Sequence, residues 1–191
     1  MTGGQQGISR VPERVPERVA GLLGRVGAQP RLVAHLELVH GVAVELLAEV
    51  GRRWPGVEVD EAAVRFGAAT HDVGKVRHPE ELTGPGHAHE PAGYALLVEL
   101  GVDPADARFA RTHASWGLPG ISLEELLVAL ADKVWKNRRE EELEDLVTGR
   151  IAEICGLERW EVFLDLDEVL TAIGEGAEGR LAYQSSFPVV G

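Results

Sequence analysis

One cysteine, Cys155, is all that the 191 residues contain. A single thiol excludes an internal disulfide framework and a cysteine-built zinc site, so metal binding must rest on histidine and carboxylate. No apolar run reaches membrane-spanning length, and no charged-then-apolar leader opens the chain. The expectation is a soluble, cytoplasmic protein with no membrane partner. Cations are scarce: 19 Lys and Arg against 31 Asp and Glu leave a net charge of −12. That argues against nucleic acid as a standing partner. It leaves room for a small anionic substrate, because a metal and a few cations can invert the field locally. Nothing reads as a run of alternating strands.

What is present is helical periodicity. With 45% apolar residues, the chain is long enough for one domain with a sizeable core. Apolar residues recur at helical spacing from Arg31 to about Trp54, where Pro55-Gly56 ends the run. Asp60 is a cap for a second helix reaching Gly74, and residues 76–88 read as a loop punctuated by Pro and Gly. A third helix is expected from about Glu90 to Leu100. Asp103-Pro104 opens a fourth that reaches about His113. Ser122 with Glu125 forms a capping box before the most apolar helix, and two more helices follow at about 140–155 and 158–173. The fold class is therefore all-α, a single domain with a helical C-terminal extension. Residues 1–15, with the repeat VPERVPERV, read as a flexible leader. Residues 141–175 read as helices packing on the domain or forming a homodimer surface, and 176–191 as a tail.

His71-Asp72, in the run FGAATHDVGK, sets a physical problem. A carboxylate among small apolar residues is costly to bury unless a cation compensates it, and only Lys75 is close in sequence. Asp132 repeats the problem directly after LLVALA. His35, His89 and His113 fall on or at the ends of the other helices. Taken singly, each has a bland explanation: a hydrogen-bonded histidine, a helix-terminal histidine, or an Asp132 paired with Lys133 or Lys136.

Taken in order, H…HD…H…H…D resembles the HD-domain superfamily of metal-dependent phosphohydrolases, over residues 30–140. The segments that carry the resemblance are HLELV at His35, HDVGK, HEPAGYALLVELGV at His89, RTHASW at His113 and LVALADKV at Asp132. It implies an HD-domain helical bundle, here 16–140. It implies that His35, His71, Asp72 and Asp132 hold one metal, with Asp72 bridging to a second held by His89 and His113. Imidazole and carboxylate suit Fe, Mn, Ni, Co or Zn, one or two per chain. His87 is a rival to His89 within GHAHE; His89 is preferred because it directly precedes its helix. His40 and His78 stand outside the pattern.

The activity implied is hydrolysis of a nucleotide or another small phosphoester by metal-activated water. Asp72 and Lys75 are the catalytic candidates, Lys75 matching the HDxxK lysine. Lys75, Lys136 (one helical turn past Asp132) and Arg111 are the substrate-binding candidates, with Arg77 and Lys133 behind them. Trp116 is a candidate for base stacking or for the core. The GYP signature of the branch that cleaves cyclic di-GMP is missing. A few members with the same ligands are mixed-valent di-iron oxygenases, which is the alternative reading.

Overall fold

The computed structural model describes residues 14–189. Among these residues there is no strand. The helices are α1 (Glu17–Arg25), α2 (Pro30–Arg53), α3 (Glu61–Thr70), α4 (His89–Glu99), α5 (Pro104–Thr112), α6 (Leu123–Val134), α7 (Glu141–Cys155), α8 (Arg159–Glu175) and α9 (Ala177–Ser185). Two short 3₁₀ turns, Val73–Val76 and Pro79–Leu82, lie between α3 and α4. No helix among the described residues is long and apolar enough to cross a membrane.

The punctuation works as the side chains dictate. Asp60 accepts from the Ala63 amide at 2.9 Å and Asp103 from the Ala105 amide at 2.8 Å, each satisfying an N-terminal donor of its helix. Ser122 and Glu125 exchange side-chain and backbone bonds at 3.0 and 3.3 Å, forming the capping box at the start of α6.

Helix α6 is the axis of the bundle. Leu126, Leu127, Val128, Ala129, Leu130 and Ala131 are all buried, so it is packed around most of its girth. The larger core cluster joins it to α2, α3, α7 and α8. A second cluster joins α1, α4 and α5 to the start of α2 and to α3. Helices α2 and α3 contribute to both clusters: Leu36 and Phe66 face one, Val39 and Val64 the other. His35 and His71 belong to this shared pair of elements.

Three features depart from the sequence expectation. First, α3 ends at Thr70, and the chain after Asp72 tightens into the turn Val73–Val76 instead of continuing as α-helix to Gly74. The reason is a close crossing. A Cβ on Gly74 would collide with the His89 carbonyl and the Gly93 amide, so only glycine lets this turn rest on the first turn of α4. Second, residues 1–13 of the expected leader lie outside the described residues, but Val15 is buried in the second cluster and α1 follows. Third, the expected tail contains α9, which packs on α2 and α8; residues 190–191 lie outside the described residues.

Candidate metal centre

Six buried side chains from five elements meet at one place: His35 of α2, His71 and Asp72 at the end of α3, His89 at the start of α4, His113 at the end of α5 and Asp132 of α6. They form two adjoining groups whose ligand atoms lie close enough to hold an ion each: His35, His71 and Asp132, and Asp72, His89 and His113.

Asp72 stands between them. Its Oδ2 lies 3.1 Å from His35 Nε2 and 3.7 Å from His71 Nε2. Its Oδ1 lies 3.0 Å from His89 Nε2 and 3.5 Å from His113 Nε2. Asp132 Oδ1 closes the first group, 3.4 Å from His71 Nε2 and 3.8 Å from His35 Nε2. Within each group the imidazole nitrogens face each other, at 3.3 Å for His35 and His71 and 3.4 Å for His89 and His113.

The outer hydrogen bonds fix what these nitrogens are. His71 Nδ1–H donates to the Ala68 carbonyl at 2.9 Å, and His113 Nδ1–H to the Ala110 carbonyl at 3.1 Å. A carbonyl can only accept, so in the neutral ring Nε2 carries a lone pair. Those lone pairs point at carboxylate oxygens, acceptor against acceptor. The arrangement is repulsive unless a proton or a metal cation lies between them, and backbone-anchored imidazoles with buried carboxylates are what a transition-metal site uses. The donor set fits one or two divalent metals.

Four of the protonation states agree. Burial pushes the His113 imidazole down to about 3, with neighbouring His71 adding to the effect. Burial likewise lowers His35. Burial works against ionised Asp72, but His71, Lys75 and the bonds from His35 and His89 outweigh it and hold its carboxyl well below the usual range. The same balance, with His71 and Lys133 as the opposing groups, keeps Asp132 ionised. His113 and His35 are thus held as neutral imidazoles and Asp72 and Asp132 as carboxylates, the ligand forms; His89 is the exception, raised by Asp72 and Glu81 in the metal-free chain.

The remaining candidates divide. The His87 side chain is 83% exposed and pairs with Glu90, away from the centre. Lys75 Nζ lies 2.5 Å from Asp72 Oδ2, and Lys133 Nζ lies 2.7 Å from Asp132 Oδ2, so each aspartate has the lysine partner that its sequence neighbours offered. A cavity of about 230 Å³ ends on His35 and Asp72, and Arg31, Lys75, Trp135 and Lys136 line it. Arg111 is not among its lining residues; its guanidinium stacks 4.6 Å over the Tyr94 ring. Arg77 pairs with Glu99. Trp116 packs against the core, with Lys133 5.5 Å over its ring.

Two residues with a part in the site carry no motif. Glu81 accepts from His89 Nδ1–H at 2.5 Å and from the Ala88 and His89 amides at 3.0 and 3.1 Å. Its position in the loop 76–88 gives no periodic signal. Arg31 lies one helical turn before His35, and that spacing was the only hint available.

The comparisons with known proteins agree with this geometry. Uncharacterized protein MJ0778 of Methanocaldococcus jannaschii is 31% identical over 131 residues, covering 61% of this chain and 73% of that protein. No solved structure matches. The family model described as the HD domain matches residues 32–135, which run from just before His35 to just after Asp132. The chain belongs to the HD domain family, the superfamily of metal-dependent hydrolases.

Proposed function

We propose that this protein is a metal-dependent phosphohydrolase that cleaves a nucleotide or another small phosphoester. The observation that carries the reading is the charge of the cavity. In a chain of net charge −12, the space that ends on His35 and Asp72 is lined by Arg31, Lys75 and Lys136, with Asp72 the one carboxylate among its described lining residues. An anion is the complementary ligand.

In this reading His35, His71 and Asp132, with Asp72, would hold one divalent ion. Asp72, His89 and His113 would hold a second. Bound there, divalent metal would lower the pKa of water towards about 7 and polarise the phosphoryl oxygens. The residues of the chain do the rest. Glu81 and the Ala68 and Ala110 carbonyls orient three of the imidazoles. Lys75, ion-paired with Asp72 at the cavity, is the candidate to carry a phosphoryl oxygen. Lys136 and Arg31 hold the anion at the cavity wall. Leu32, Leu82 and Trp135 give that wall its apolar part, which limits water around the reacting group.

The test is a phosphoester screen on protein loaded separately with Fe, Mn, Ni, Co or Zn, with and without oxygen. Phosphate release under anaerobic conditions is expected. Substrate conversion that consumes oxygen and releases no phosphate overturns the hydrolase in favour of the di-iron oxygenase.

A further inference from the structure

The cavity has an outer wall that lies outside the matched HD region. Leu181 and Gln184 complete its lining, and both belong to α9, well past residue 135. Helix α9 is pinned on two sides. Arg180 Nε donates to the Trp135 carbonyl at 2.6 Å, and its Nη2 donates to the Ile173 carbonyl at 2.6 Å. The guanidinium therefore grips the C-terminal carbonyls of α6 and α8, where free acceptors and the helix dipole both favour a cation. Just past α9, the Phe187 carbonyl accepts from Arg31 Nη1 at 3.2 Å, which ties the chain to the first turn of α2.

The two ties end on the cavity itself, because Trp135 and Arg31 are both lining residues. A helix tied to two lining residues of a cavity bounds it. The space it leaves is about 230 Å³. That is below the range of roughly 300–1,000 Å³ usual for pockets that enclose drug-sized ligands.

We infer that α9 is the specificity wall of this site, and that Leu181 and Gln184 restrict it to small hydroxylated phosphomonoesters, of polyol or sugar size. The inference rests on the hydrolase reading above. The cations take the phosphoryl group. Leu181, with Leu32 and Leu82, supplies the apolar bulk that a leaving group larger than a sugar would have to pass. The Gln184 amide both donates and accepts, so it can read a hydroxyl of the leaving group.

The test compares kcat/KM for glycerol phosphate and for a nucleoside monophosphate, using the metal-loaded full chain. The variants are Leu181→Ala, Gln184→Ala and the double substitution. Leu181 is 41% exposed, so its truncation does not open the core. The parent should prefer glycerol phosphate by about tenfold or more, and the double variant should move the ratio towards the nucleotide by about tenfold, with metal content unchanged. A parent that prefers the nucleotide, or a ratio unmoved in active variants, overturns the role of α9 and leaves the hydrolase standing. Loss of metal in the variants also overturns it, since α9 would then support the centre instead of screening substrate. A parent that releases phosphate from no ester overturns both readings together.

Discussion

Glu81 holds His89 from behind. Its Oε2 lies 2.5 Å from His89 Nδ1, and the same carboxylate accepts the Ala88 and His89 amides. Burial pushes the Glu81 carboxyl up, but these bonds outweigh it and bring the group down to about 2. The ring is thereby turned with Nε2 towards Asp72 Oδ1, 3.0 Å away. The loop is built around this contact: a Cβ on Gly86 would strike the Glu81 carboxylate. Glu81→Ala should weaken metal binding on the His89 side by about 10–100-fold while the first group keeps its ion. Metal titration by calorimetry reads this directly, and an unchanged second affinity would remove Glu81 from the site.

Asp72 is the one residue that both groups need. Asp72→Ala should abolish turnover and empty both positions, because each loses a carboxylate oxygen that faces two imidazoles. The helical fold should persist, since the apolar clusters do not depend on this side chain. Metal analysis with circular dichroism separates the two effects. Retained phosphate release in Asp72→Ala would falsify the site assignment.

His87 and His89 offer a sharper contrast. His89 is buried and faces His113, whereas His87 lies in solvent beside Glu90. His89→Ala should lower the metal content from two ions towards one. His87→Ala should leave it unchanged. The reverse result would exchange their roles.

The helices around the centre were legible because their signals are local. Asp60, Asp103 and the Ser122–Glu125 box cap their helices through bonds spanning two or three residues. The ordered histidines and aspartates were legible as a resemblance, and the folded chain brings all six together. Other parts were not, for physical reasons. The end of α3 at Thr70 depends on Gly74 meeting the His89 carbonyl, a contact set by tertiary packing. The partner of Glu81 is fixed by the path of a loop with no periodicity. Helix α9 has a weak apolar pattern, and Ala177 is its one buried residue. Its ties include Arg180 reaching carbonyls of α6 and α8, which sequence spacing cannot reveal.

The chelated protein should lose stability as pH falls from about 7 to about 5. The His113 imidazole, at about 3 in the folded chain against 6.5 ordinarily, binds fewer protons folded than unfolded across that window. Stability therefore falls as pH drops through it. His35 is lowered by burial and acts in the same direction. His89 opposes them. Burial lowers it, but the Asp72 and Glu81 carboxylates raise it above 6.5, so its contribution is present at low pH and fades as pH rises through its folded value. Two lowered histidines, one of them far lowered, outweigh one raised, and the melting temperature at about pH 5 should sit several degrees below that at about pH 7. Metal should steepen the dependence, because protons compete for the same nitrogens. A chelated protein that melts higher at the acid end would show that His89 dominates, its protonated ring held between the Asp72 and Glu81 carboxylates.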